Sequence, residues 1–216
     1  QPFLAVATSA ALQTPPGVRH SLQFRPGGLI ADLTHRLSGL LRGQFGSELA
    51  AQPCSAGARL VLIDSAVRPL ETSLEDVGIA FHWLAGPAAR DIGDADYIPL
   101  AHTIAGRGLK PLSPVHARGS RDTEGNLSIS FIRRTRTGGD SWDGIDVPLG
   151  EAIEAYQIDI LDGATVTRPF TVGTPGVIYT AADQTTDFGS PQSAISLRIA
   201  QLSQRLGPGD PLLDTL

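Results

Sequence analysis

An all-β chain of two β domains, the second a two-sheet sandwich, is what this sequence predicts, and three observations carry that expectation. Short apolar runs recur between Gly- and Pro-rich breaks, with 24 Gly and 16 Pro among 216 residues. Runs of about five residues between turn signals are strands rather than helices. Two segments alternate strictly. Leu127, Ile129 and Phe131 share one face against Ser128 and Ser130, and Tyr156, Ile158 and Ile160 oppose the outward Gln157 and Asp159. That is the period of a half-buried strand. Charged residues make up only 18% of the chain, which speaks against disorder and against a helix-rich surface.

In chain order, the first half offers apolar runs at 3–7, 20–24, 29–33, 37–41, 59–63 and 79–84. Pro15-Pro16-Gly17, Pro26-Gly27-Gly28, the glycines from 43 to 46 and the stretch 55–57 separate them as turns. Ser73-Leu74-Glu75-Asp76 has the form of a capping box, with Gly78 limiting it to one helical turn. Residues 47–52 read as a second short helix. From 86 to 99 the pattern lapses into an irregular connector, so the domains are set at 1–100 and 101–216. The second half offers strands at 115–120, 127–133, 156–161, 166–172, 177–180 and 194–202, with a last edge near Leu212. About seven strands with turns every 8–12 residues fit an immunoglobulin-like or fibronectin type III sandwich.

Composition excludes several functions. Net charge is −5 and the pI is near 5.5, so the whole chain offers no electrostatic footprint for nucleic acid. Hydrophobic residues make up 41% with a mean hydropathy near zero. No run approaches the roughly 20 apolar residues of a membrane span, and no signal peptide is visible. Cys54 is the single cysteine; it rules out a disulfide framework and a cysteine zinc site, and reads as a passive loop residue. His20, His35, His82, His102 and His116 lack metal-ligand spacing. Neither a Gly-x-Ser-x-Gly elbow nor a phosphate-binding Gly-Lys-Ser/Thr loop is present. No catalytic residue, cofactor or metal is therefore expected. The chain starts at Gln1 and contains no Met, which reads as a piece or processed form of something longer.

The remaining candidates lie in loops. Asp140, Asp143 and Asp146 cluster between the two alternating strands, and Asp91, Asp94 and Asp96 cluster in the connector. Three carboxylates plus carbonyls are a partial calcium set, but aspartate in Gly-rich loops is also the ordinary turn residue, and that reading is preferred. Arg133, Arg134 and Arg136 end the first alternating strand. They read as charge that blunts an edge strand, or as a polar interface to a neighbouring subunit. Trp142 is the one large aromatic of the loop, either a lid folded back on the sandwich or an anchor for a partner or a sugar ring.

Two resemblances add to this. The second half resembles a fibronectin type III domain, with 156–161 similar to its third strand, 196–203 to its sixth, and Gly207-Pro208-Gly209 to the turn before its last. Phe131 stands where that superfamily usually has a core Trp, and the sixth strand lacks the tyrosine-corner Tyr. More specific are six phrases in order: Leu37-Ser-Gly-Leu-Leu-Arg-Gly-Gln-Phe-Gly-Ser-Glu48, Gly106-Arg-Gly-Leu-Lys-Pro-Leu112, Ile132-Arg-Arg-Thr-Arg136, Gly139-Asp-Ser-Trp142, Val147-Pro-Leu-Gly-Glu151 and Tyr179-Thr-Ala-Ala182. Together they resemble the C-terminal region of the large tail-tip proteins, the host-specificity or megatron family, of alphaproteobacterial gene transfer agents and siphophage-like tails. The resemblance implies a non-enzymatic baseplate module that is made in the bacterial cytoplasm and acts outside it on a virion-like particle. Its implied partners are other baseplate or hub proteins and copies of itself, with host-surface polysaccharide as a further one, and with no nucleic acid. The alternative reading is a carbohydrate-binding accessory module of a glycoside hydrolase-containing protein.

Overall fold

The computed structural model describes residues 8–14, 18–139 and 146–216. The chain divides into two compact units, Gln1–Gly108 and Leu109–Leu216. The first contains strands β1 (Thr8–Thr14), β2 (Val18–Ala31), β3 (Thr34–Gln44), β4 (Arg59–Ile63), β5 (Ala80–Ala85) and β6 (Ile98–Thr103). Strands β1 to β4 form an antiparallel sheet in the order β3-β2-β1-β4, and β5 pairs with β6 in a separate hairpin. The core of the sheet is small: Ala10, Leu22 and Phe24, flanked by Leu12 and Leu37.

One turn signal in this unit does other work. Strand β2 runs through Pro26-Gly27-Gly28, and its pairing with β3 slips between Arg25 and Gly28. A proline and glycines inside a strand mark such irregularities; at Gly27 a Cβ would lie 2.7 Å from the Arg36 carbonyl oxygen. The chain reverses instead at Asp32 and Leu33, with Leu33 at φ 53°. Runs that read as separate short strands are therefore parts of two long ones. The stretch read as a connector is the loop of the β5–β6 hairpin, in which Ala85 pairs with Ile98. Strand β6 escaped the reading because Pro99 breaks the strand signature. At Ser73 the expected single turn forms: Leu74–Asp76 is a 3-10 helix, and the Ser73 amide donates to Asp76 Oδ2 at 2.6 Å. The other short helix is a 3-10 turn at Glu48–Ala50.

The second unit is a two-layer sandwich of β7 (Val115–Arg121), β8 (Leu127–Ile132), β9 (Tyr156–Asp162), β10 (Thr165–Val172), β11 (Gly176–Tyr179), β12 (Ser196–Ser203), β13 (Gly207–Pro208) and β14 (Leu212–Thr215). One sheet has the order β11-β8-β7; the other is β10-β9-β12, with β13 and β14 both added to β12. The fourth strand thus lies beside the third, which is the fibronectin type III arrangement. Inward residues of both sheets meet in one cluster of Leu127, Ile129, Phe131, Tyr156, Ile158, Ile160, Tyr179, Ile195, Leu197 and Ile199. Phe131 meets Tyr156 edge to face, with ring centroids 5.0 Å apart. Strands β8 and β9 alternate as expected, yet they belong to different sheets, so the loop between them crosses from one layer to the other. Strand β8 is also central in its sheet rather than an edge.

The sequence reading also left out a helix. Helix α1 (Ala181–Phe188) connects β11 to β12, with Thr180 as its N-cap accepting from the Asp183 amide at 3.0 Å, and Gly189 closing it at φ 82°. Both signals are in the sequence. Only eight residues separate them, too few for an apolar period to stand out.

Candidate functional site

The β8–β9 loop leaves the end of the sandwich where β8, β10 and β12 finish and β7, β9, β11 and β14 begin. Immunoglobulin-like folds present their binding loops from such an end. Trp142, Asp140 and Asp143 lie outside the described residues. The base of the loop is described on both sides, and its arginines hold it together. Arg133 donates to the Val147 carbonyl at 2.6 Å and pairs with Asp146 at 2.8 Å and Glu154 at 3.3 Å. Glu154 Oε1 also accepts the Tyr156 hydroxyl at 2.7 Å, which ties this cluster to the core. Arg136 pairs with Glu151 at 2.6 Å and donates to the Gly150 carbonyl at 3.1 Å. The side chains of Arg133 and Arg136 are only 14% and 22% exposed, so their guanidinium groups are turned inward. Arg134 is exposed, with its Nε donating to the Ser113 carbonyl at 2.7 Å. Of the three arginines, this is the one exposed at the surface.

The opposite end is locked by buried polar groups that the sequence reading passed over. Gln184 is fully buried and uses both ends of its amide. Its Nε2 donates to the Gly125 and Tyr179 carbonyls at 3.2 and 2.9 Å, and its Oε1 accepts from Arg121 at 3.0 Å and the Gln192 amide at 3.3 Å. Beside it Arg168 forks onto Asp187 at 2.6 and 3.0 Å and reaches Asp183 at 3.1 Å. The Tyr179 hydroxyl donates to the same Asp187 carboxylate at 2.7 Å. The Arg168 hydrogen bond holds the Asp187 carboxyl below its ordinary range, and burial, with this carboxylate beside it, pushes the Tyr179 phenol up. These side chains fix α1 to the sandwich.

On the outer face of β9 and β12, directly across the ladder from each other, stand Asp159 and Arg198. Arg198 donates to Asp159 Oδ2 at 2.6 and 2.9 Å, and Gln157 Nε2 donates to both carboxylate oxygens. Asp159 has the outward parity expected of it, yet this cover leaves it 1% exposed. With Pro208, Gly209 and Pro211 the three side chains line an open cavity of about 270 Å³.

The connector aspartates act as turn residues. Asp91 Oδ1 accepts the Gly93 amide and Asp94 Oδ1 the Asp96 amide, while Arg90 pairs with Asp94 and Asp96 at 3.2 and 3.3 Å. Among the described residues no three His, Cys, Asp or Glu side chains converge as metal ligands, and no helix is long and apolar enough to cross a membrane.

These features define a β-rich structural module that ends in a fibronectin type III-like sandwich. A family model described as Rcc01698-like, C-terminal, matches residues 1–61. No curated protein matches the chain. Among solved structures, the rat CD45 extracellular region, domains d3–d4, is similar at 11% identity over 88% of this chain and 93% of that one, with a TM-score of 0.35. The FN5 domain of Drosophila Lar is similar at 18% identity over 49% of this chain and 94% of that one, with a TM-score of 0.29. At these scores neither carries weight, and the fold class rests on the chain's own strand order.

Proposed function

We propose that this chain is a non-enzymatic module of a phage-like tail baseplate, of the gene transfer agent kind, contributing to tail-tip assembly and host-surface attachment. The observation that carries this reading is the match of residues 1–61 to the Rcc01698-like C-terminal model in a chain that continues into a fibronectin type III-like sandwich. The described side chains support it. Buried charge serves to brace loops and a helix, and a rigid sandwich works by presenting loops to partners. In this reading the braced β8–β9 loop presents Trp142 and Arg134 to other baseplate proteins or to the host envelope, outside the cell that made the particle. Replacing Trp142 by Ala is expected to leave folding intact and to weaken tail-tip assembly or host adsorption. Particles that carry the variant and both assemble and adsorb like the parent would refute the role of the loop.

A second reading, a carbohydrate-binding module, draws on the cavity over Asp159 and Arg198. It has the size of a single sugar ring, with donors and acceptors on its floor and prolines at its rim. Titration with envelope polysaccharides, followed by tryptophan fluorescence and repeated with Arg198→Ala, separates the two. Saturable binding abolished by the substitution favours the sugar, and no response to any polysaccharide removes it.

A further inference from the structure

His20 lies in β2 directly across from Leu12 of β1 and is 2% exposed. Its Nε2 accepts the Arg42 Nε–H at 3.1 Å, so Nε2 carries no proton and the ring is neutral. Nδ1 then holds the ring's hydrogen; it is buried near the Ala50 backbone but outside hydrogen-bonding geometry. Arg42 is permanently cationic, and its Nη2 reaches the chain beyond the 3-10 turn Glu48–Ala50. There it donates to the Gln52 carbonyl and to Cys54 Sγ, the latter at 3.3 Å. One guanidinium thus ties residues 52 and 54 to a buried histidine. The turn comes close enough because Gly43, at φ 73°, is skipped in the β2–β3 ladder as a bulge. A Cβ at Gly43 would lie 2.9 Å from Glu48 Cα.

A histidine that accepts from a guanidinium tolerates one protonation state. A second proton would have to enter at Nε2, against the Arg42 N–H, and would set two cations face to face at a buried site. We propose that this pair is an acid-released latch: when His20 takes up a proton the hydrogen bond breaks, Arg42 turns to solvent, and Gln52 and Cys54 come free while the sheet stays paired. Among the described residues no carboxylate stands by to balance the second charge. Strand β1 brings Leu12, with Leu60 of β4 across from it. The turn brings Ala50, and its Glu48 is exposed. Arg42 is the charged group that acts on the ring, and it is itself half-buried, with water to turn to. The near end of the segment is held by bonds that do not titrate. The Ser21 amide donates to Ser47 Oγ at 2.9 Å, and Ser47 Oγ donates to the Gln44 carbonyl at 2.6 Å. Opening is therefore confined to the far end, and acid changes the surface beside β2 and β3 without unfolding the unit.

The test is an NMR titration of the isotope-labelled 216-residue chain, from about pH 8 to about pH 4.5. In the parent, the Arg42 Nε–H signal and the Gln52 and Cys54 amides are expected to shift with the midpoint of the His20 ring. That midpoint is expected below the ordinary histidine value of about 6.5, with the β1 and β4 amides holding their positions. His20→Gln keeps an acceptor that does not titrate and is expected to abolish the transition. Arg42→Ala is expected to free Gln52 and Cys54 at every pH and to raise the His20 midpoint, since the opposing charge is gone. Gln52 and Cys54 amides that stay put while His20 titrates overturn the latch, as does the same transition in His20→Gln. A ring that stays neutral throughout overturns it as well. So does simultaneous loss of the β1 and β4 signals, because His20 then titrates only through unfolding of the whole unit.

Discussion

Single side chains carry sharply different loads in the two units. Phe131 is 5% exposed in the centre of the sandwich, and Phe131→Ala is expected to destabilise the second unit by roughly 3–5 kcal/mol; an unmoved thermal transition would contradict its place in the core. Gln184→Leu keeps the volume but strips partners from the Gly125 and Tyr179 carbonyls and from Arg121. A cost of about 1–3 kcal/mol in urea denaturation is expected for unsatisfied buried groups. His20 in the first unit is 2% exposed and accepts from Arg42 Nε at 3.1 Å. Burial, with Arg42 beside it, lowers the affinity of its ring for a proton. The unfolded chain then binds that proton at a pH where the folded chain does not, so stability rises with pH across the interval. The first unit should lose stability as pH falls below about 6.5, and His20→Leu should flatten that slope in pH-dependent melts. Asp187 works in the acid range: its lowered carboxyl contributes stability above the ordinary carboxylate value that is lost as pH falls through the lower folded one. Asp187→Asn should remove that share of the acid sensitivity of the second unit. Legibility followed local periodicity at this scale, not burial. The apolar alternation through Phe131 announced itself, whereas Gln184 and Arg168 gain their importance from neighbours 59 and 19 residues away.

The elements that read well were those whose sequence pattern and structural period coincide. Strands β7 to β12 fall within a residue or two of the expected spans because both faces of the sandwich impose a period of two. Strands β2 and β3 read as fragments because a proline and glycines sit inside a paired strand as bulges, and a local signal does not separate a bulge from a turn. Helix α1 was missed despite its two caps. The arginine run illustrates a third kind of failure. Its charge was visible, but the partners of Arg133 and Arg136 lie 13 to 21 residues on, across a loop. Those pairs brace the base of the β8–β9 loop, so the combined replacement of Arg133 and Arg136 by Ala should speed thermolysin cleavage of that loop while β8 and β9 stay intact. Unchanged cleavage would show that the loop is held by something else.

At the scale of the molecule, the two units differ in how they are closed. The second is closed around a continuous core, while the exposed large apolar side chains gather in the first, along β3, β4 and the β5–β6 hairpin. A two-stranded hairpin exposed on both faces is marginal by itself, and surfaces of this kind mark places that neighbours cover. Under the proposed function, the first unit is the part built into an assembly and the second the part it displays. The match of residues 1–61 falls in the first unit. The measurement that tests the central claim most directly is immunogold electron microscopy of particles from bacteria that make this chain, with antibody raised against residues 109–216. Gold confined to the tip of the tail is the predicted result; label that stays in the soluble fraction, with bare particles, would contradict it.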